Sequence, residues 1–536
     1  MSDPQSFDPL DLGEDNLLAE ALPAVAPSST PRYGPGLTSR VVRGSFLNLG
    51  GQGVTMLTTL LATPFVIRLL GAPGYGVLAL LHVLIGSLGF ADMGMGTAST
   101  RFGSLAHARG DNEGESAAIW SSLAIAAASA TLVALVLALG ARPLVEYGLR
   151  LPVNLQTPAV IAVRLAALGF LARTIAGVLN TPALVRLRMD LVVLITTGTS
   201  VVQILLVPIV LVLGAGLTGA AAVVAGASVA AALLYAVAGA RLLPALRRPH
   251  VNIALLKPLA VFGGALLVAS IASTISTSAE KLLLPRYASV QALAYYSVAF
   301  TLAYMLTQMP MAMVHSLVPA FSRLQVHSDH AELELLYGHA LRGMLYWAVP
   351  GATFICAVAR PFFTLWAGPQ FGRESTLPLY LLIGGVVCEI MAYTPNALLV
   401  AQGRTAFIAR CQWSLLVPYL FLSAFLIHRF GAAGAAGAWS LRALAGAIIL
   451  STSAARTSGF TFAPWPANKR DYVLTVTILL LPVTLAAFLT TSAIVRAGVA
   501  CAAVAAYAIL LLTRVLTDDE RAALQLMLPF GLGTRF

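Results

Sequence analysis

Charge is what this chain has least of: Asp, Glu, Lys and Arg make up 10% of its 536 residues, against roughly 25% in an ordinary soluble domain. With 58% hydrophobic residues and a mean hydropathy of +0.84, a soluble protein of several domains, each needing its own polar surface, is excluded. Cysteine is scarce too. Cys356, Cys388, Cys411 and Cys501 stand singly in apolar segments, with no C-x-x-C pair and no His at ligand spacing, which excludes a disulfide framework and a zinc site; neither metal nor cofactor is expected. A net charge of +11 is spread along connecting segments and not gathered into a patch, so nucleic acid is not an expected partner. Long polar intervals are also missing. The longest, around 101–115 and 323–334, are too short for a folded extramembrane domain or for the acid- or His-bearing outer loop of a membrane-embedded glycosyltransferase, polymerase or ligase, so no enzyme is expected. The first forty residues lack a basic start and a cleavage site, carry Asp3, Asp8, Asp11, Glu14, Asp15 and Glu20 among Pro and Ser, and read as a disordered tail.

What is present is one apolar run after another. Runs long enough to span a bilayer fall near 42–69, 73–103, 115–140, 155–180, 190–214 and 217–243, then near 257–286, 290–322, 332–366, 375–402, 406–430 and 433–458, with two more at 471–492 and 495–516. The expected fold is an all-α polytopic membrane protein of about fourteen transmembrane helices. Gly216-Leu217-Thr218-Gly219-Ala220-Ala221 recurs as Gly431-Ala432-Ala433-Gly434-Ala435-Ala436 at an offset of 215, and Gly74-Tyr75-Gly76 has a counterpart in Ala294-Tyr295-Tyr296 at 220. Two pseudo-symmetric six-helix lobes follow, 41–245 and 257–460, with a substrate site between them. Two additional helices occupy 470–517, with tails at 1–40 and 518–536. Basic residues of the connecting segments and helix ends divide 21 to 9 between the two sides, and the other 3 lie deeper within helices; by the positive-inside rule both termini are cytoplasmic.

The stretch Arg68 to Gly103 holds a Gly-Ala-Pro-Gly turn and then a long apolar run containing Asp92. Gly89, Asp92, Gly96, Ser99 and Gly103 follow helical spacing, so a continuous helix would present a small, acidic stripe to other helices or to water. The remaining intramembrane charges are Arg164, Arg173, Arg442, Glu389 and the adjacent Glu280 and Lys281. Each mid-membrane charge costs roughly 2.5–3.5 kcal/mol on insertion scales, so three arginines require water, an acid partner or an anionic ligand. Asp92 and Glu389 are available partners. Arg164 and Arg173 are nine residues apart and half a turn out of phase, so one straight helix aims at most one of them at a given cavity. Arg164 and Arg442 sit at similar depth and form the preferred pair for an anionic group, for which guanidinium has a matching fork.

Polar stripes mark a wet interior: Ser270, Ser273, Thr277 and Glu280; Tyr304, Gln308, Met311 and His315; Glu389, Tyr393 and Asn396. Such hydroxyls also bond their own helix backbone. Arg164, Arg173, Arg442, Tyr304, Gln308, Tyr393 and Asn396 are the candidate substrate contacts, and Asp92, Glu280, Lys281, Glu389 and His315 the candidates for ion coupling, His315 because imidazole titrates near neutrality. Asn48-Leu49-Gly50-Gly51-Gln52-Gly53 lacks the Lys-Ser/Thr ending of a phosphate loop and lies in a membrane helix. Pro64, Pro208, Pro310, Pro319, Pro350, Pro395, Pro418 and Pro482 are expected kink points.

LLGAPGYGVLALL followed by FADMGMGTASTRF resembles the N-terminal signature of bacterial oligosaccharide flippases, the polysaccharide-exporter branch of the superfamily that includes multidrug-and-toxin extrusion transporters. Glu280-Lys281-Leu282-Leu283-Leu284, AYYSVAF, Val318-Pro319-Ala320-Phe321-Ser322 and LWAG follow in the same order; Glu280 stands where the pattern leads one to expect aspartate. The resemblance covers about residues 40–460. It implies translocation of an undecaprenyl-pyrophosphate-linked oligosaccharide across the bacterial cytoplasmic membrane, without ATP hydrolysis and coupled to protons or sodium ions. Implied partners are membrane lipid, a polysaccharide polymerase and chain-length proteins. The rivals are a lipid II flippase and a cation-coupled multidrug exporter, the latter implying an acid-dominated cavity.

Overall fold

The computed structural model describes residues 35–149, 151–326, 330–459, 469–489 and 492–516, apart from some side chains within them. Among these residues every element is helical: α1 Pro35–Ser87, α2 Met95–Ala108, α3 Asn112–Leu139, α4 Val153–Leu179, α5 Met189–Val212, α6 Gly216–Leu242, α7 Ile253–Tyr287, α8 Val290–Tyr304, α9 Gln308–Val326, α10 His330–Ala367, α11 Thr376–Ala401, α12 Thr405–Ser458, α13 Lys469–Leu489 and α14 Ala493–Leu510, with short helical turns between some of them. Ten of the described stretches are long and apolar enough to cross a membrane. Two of these contain two expected spans each, because α1 breaks at Gly71 (φ 69°, ψ 171°) and α12 at Gly431 (φ 56°, ψ −128°); α7 and α13 cover the two spans not among the ten. This is an all-α polytopic membrane protein. Of the expected tails, 1–40 and 518–536, residues 1–34 and 518–536 lie outside the described residues, and 35–40 already belong to the first helix, which begins at Pro35.

Two of the expected helices are interrupted. The run 73–103 is not one helix: α1 ends at Ser87, a 3-10 turn covers Leu88–Asp92, and Met93 (φ 53°) and Gly94 (φ 65°) turn left-handed before α2 starts. The Asp92 carboxylate accepts the Gly94 N–H at 2.7 Å, an Asx-type bond that competes with helix continuation. The acidic stripe inferred from helical spacing across Asp92 therefore does not exist as a continuous face. The run 290–322 breaks at Met305–Thr307. Pro310 has no N–H for the carbonyl of Leu306, four residues back, and Trp347 Nε1 of α10 donates to that carbonyl at 3.1 Å.

The chain folds into two compact units. The first comprises the described residues of 35–62, 84–142 and 158–271. Its core joins Met95 and Phe102 of α2, Ile119 and Ala126 of α3, Val178 of α4 and Leu259 of α7, with Leu243 and Leu246 of the segment after α6. That segment is docked onto α3 by side chains that satisfy its backbone: Ser116 Oγ donates to Ala245 O (3.2 Å) and Trp120 Nε1 to Leu246 O (3.1 Å). A second cluster joins Leu179, Ile195, Ala232 and Tyr235 of α4, α5 and α6.

The second unit comprises the described residues of 63–83, 143–157 and 272–516. At its centre α11 packs against α8, α9, α10 and α12. Helices α13 and α14 form a layer against α10, burying Leu479, Val483, Ala500 and Tyr507 beside Val349 and Phe354.

Candidate functional site

In the first unit, Arg164 and Arg173 of α4 are both exposed, and Arg164 Nε donates to the Ala138 carbonyl of α3 at 3.4 Å. Asp92 is taken by its own turn. The buried charge of this unit lies elsewhere. Glu115, in the first turn of α3, is 0% exposed; its two oxygens accept from Arg186 Nη1 (2.5 Å) and Nη2 (3.1 Å), and His107 Nδ1 stands 3.3 Å from Oε2. Beside it, Thr181 Oγ1 donates to Ser99 Oγ at 2.9 Å, both fully buried. Sequence reasoning placed Arg186 among the connecting segments and gave Glu115 and His107 no role. The available signal was an acidic first turn at a helix N-terminus, where the dipole favours negative charge.

The second unit gathers more of the expected residues. Glu280 of α7 is 0% exposed and accepts two phenol hydroxyls, Tyr296 Oη of α8 at 3.0 Å and Tyr419 Oη of α12 at 2.5 Å. Lys281 is held by a ring: its ammonium lies 3.6 Å from the Phe300 ring centroid, a cation–π contact. Phe300 stacks on Tyr304 (centroids 5.2 Å) and meets Trp439 edge-on (5.6 Å). Tyr304 in turn lies beside Tyr393.

Arg442 of α12 closes this network. Its Nη2 is 3.4 Å from Glu389 Oε2 of α11, so the expected acid partner is present. Its guanidinium centre lies 5.6 Å from the ring centroids of both Tyr419 and Trp439. Its Nε is buried without a partner among the described residues. Glu389, Tyr393, Asn396 and Arg442 line one cavity of about 190 Å³, with Ser276, Cys411 and Gln412. Four candidates from two helices, α11 and α12, thus meet at one place. Gln308 is exposed at the start of α9 and does not line that cavity. The side chains of Ser270, Ser273, Thr277 and His315 lie outside the described ones. Sequence reasoning missed Tyr419 and Trp439, which carry no motif of their own, and quoted Tyr296 only within the Ala294-Tyr295-Tyr296 repeat and AYYSVAF, without a role.

The sequence profile of the family described as polysaccharide biosynthesis protein matches residues 65–374, more than half of the chain. The chain belongs to that family. The match spans Glu280 and Tyr296 but ends before Glu389, Tyr419 and Arg442. The chain is 25% identical over 194 residues to a Shigella flexneri protein provisionally named an O-antigen transporter, a match that covers 36% of this chain and 46% of that one. The match spans under half the length of that relative.

Solved structures show the same fold. A lipid II flippase, MurJ, in an inward closed conformation matches with a TM-score of 0.68 at 12% identity over 88% of this chain and 98% of its own. An inward-facing multidrug resistance transporter of the MATE family and MOP superfamily matches at 0.66, 13% identity, 75% and 94%. A MOP superfamily transporter from Pyrococcus furiosus, reported to have a binding pocket of reversed polarity, matches at 0.55, 17% identity, 78% and 95%. This polysaccharide biosynthesis protein therefore shares the fold of these solved transporters.

Proposed function

We propose that the protein moves an undecaprenyl-pyrophosphate-linked oligosaccharide repeat unit from the inner to the outer leaflet of the bacterial cytoplasmic membrane, by ion-coupled alternating access, for polysaccharide export. The single observation that supports this most is Arg442 beside an open cavity, with a buried Nε that has no partner among the described residues. An anionic head group suits a planar guanidinium, and Tyr393, Asn396 and Gln412 offer hydrogen bonds to sugar or phosphate. One of Arg164 and Arg173, both exposed and half a turn apart on α4, is a further contact in this reading, with Tyr304 and Gln308. Protons or sodium ions are the coupling species. Among the coupling candidates Glu389 is favoured because it opens onto the cavity, whereas Glu280 is fully committed to two phenols and Asp92 to its own turn. Both termini are placed in the cytoplasm, with lobes at 41–245 and 257–460 and two additional helices at 470–517; membrane lipid, a polymerase and chain-length proteins are the partners in this reading.

The test is deletion of the gene followed by localisation of lipid-linked repeat units. Accumulation on the cytoplasmic face is expected; unchanged surface polysaccharide with no accumulation would sink the proposal. The MurJ likeness, with its 0.68 TM-score, favours a lipid II flippase as the second reading. That reading requires the deletion to be lethal and peptidoglycan synthesis to stop.

A further inference from the structure

Two acid–arginine pairs of this protein, Glu115–Arg186 and Glu389–Arg442, differ in kind. Arg186 grips Glu115 through both oxygens, at 2.5 and 3.1 Å, with Glu115 fully buried. Arg442 reaches Glu389 through one nitrogen at 3.4 Å, and the two side chains keep 18% and 23% of their surface exposed. Charge-assisted hydrogen bonds ordinarily close to about 2.7–2.9 Å, so the second contact is loose, and it faces a cavity instead of packed helices. Tyr419 and Trp439 frame the guanidinium and hold it in place without using up its donors. The cavity has room for several waters at about 30 Å³ each, and so for a phosphate group.

From this geometry we propose that the Glu389–Arg442 pair is the coupling device: an anionic pyrophosphate head group takes Arg442 away from Glu389, and Glu389 takes up a proton from the cavity water as it does so. The proposal rests on the reading that Arg442 receives the head group. The step makes and breaks no bond other than the transfer of one proton onto a Glu389 carboxylate oxygen. Its driving force is electrostatic. A bare carboxylate deprived of its cation and set beside a second anion in a poorly solvated site is unfavourable, and protonation relieves it.

The surroundings offer Glu389 no replacement cation among the described residues. Facing it or sharing its cavity are Tyr304 of α8, Tyr393 one turn along α11, and Cys411 and Arg442 of α12. On α7, Lys281 is held over Phe300, and Glu280 is bonded to Tyr296 and Tyr419. The site therefore alternates between two neutralised arrangements, Arg442 with Glu389 and Arg442 with the head group, and the second always carries an added proton.

The test uses the full-length protein in nanodiscs with farnesyl pyrophosphate as the probe. Titration calorimetry in two buffers of different ionisation enthalpy gives the proton count, from about pH 7 to about 8.5, above the last ionisation of a phosphate ester at about 6. Wild type is expected to take up about one proton per ligand, its Kd rising about tenfold per pH unit. Glu389→Gln should bind with no proton uptake and a Kd flat in pH. Arg442→Ala should lose binding, and Arg442→Lys, which keeps the charge without the planar fork, should bind more weakly with proton uptake intact, so that a folding failure of the alanine variant cannot mimic the result. Wild-type binding with no proton uptake would overturn the coupling and leave Arg442 as head-group ligand. Undiminished binding by Arg442→Ala would overturn both the coupling and the reading beneath it.

Discussion

Glu115 and Asp190 show how little a charge means without its surroundings. Asp190 meets Arg188 at 2.9 Å with both side chains about half exposed, and exposed pairs contribute little against solvent screening. Glu115 is fully buried with Arg186 and His107. Glu115→Gln leaves the Arg186 guanidinium without its counter-charge, which costs about 3–5 kcal/mol; the thermal unfolding midpoint of the detergent-solubilised protein should fall clearly, while Asp190→Asn leaves it unchanged. Glu280 belongs with Glu115 in this respect. Glu280→Ala strands the hydroxyls of Tyr296 and Tyr419, at about 1–3 kcal/mol for each unpartnered group, and lower recovery of folded protein from membranes checks it. The partners of the two buried acids were not legible from one-dimensional spacing, since Glu115 and Arg186 are 71 residues apart and Glu280 and Tyr419 are 139.

At the scale of helices, the breaks decide where side chains point. The repeated Gly-x-x-Gly-Ala-Ala motif was visible in the sequence, and its first glycine has nearly the same φ in both copies, 58° at Gly216 and 56° at Gly431. Positive φ is open to glycine and strained for alanine, so Gly431→Ala should destabilise the second unit by about 1–3 kcal/mol. Gly437 provides the control, because a Cβ there meets open space. Where the chain breaks at Met305–Thr307, Trp347→Phe removes the donor to the Leu306 carbonyl left over by Pro310. A loss of about 1–3 kcal/mol is expected, read as a lower unfolding midpoint together with faster amide exchange around 305–310. Pro310 was legible as a kink; the tryptophan that repairs it was not. The Asp92 break was half-legible, since Asp-Met-Gly places a turn-forming glycine two residues after a side-chain acceptor, but the apolar run on either side favoured the continuous helix.

For the whole molecule, the export prediction involves both units: Arg164 belongs to the first and Arg442 to the second. Arg164→Ala and Arg442→Ala are each expected to stop polysaccharide export while the protein remains in the membrane at wild-type level, measured by surface polysaccharide and membrane immunoblot together. Wild-type export from both variants would remove the arginines from the mechanism. The family match and the MOP superfamily fold agree with the resemblance carried by residues 69–102.

Composition and periodicity were enough to establish the membrane class, the order of the spans, the repeated glycine turn and the chemical types of the buried charges. They were enough because lipid acts on every residue of a span in the same way, so hydropathy along the chain records it directly. Tertiary structure alone decided which charges meet. Arg442 has Glu389 beside a cavity, Arg186 has Glu115 in a sealed core, Glu280 has two tyrosines, and Asp92 has its own backbone. Those pairings depend on which helix faces pack together, and a buried charge exists only where packing supplies its partner.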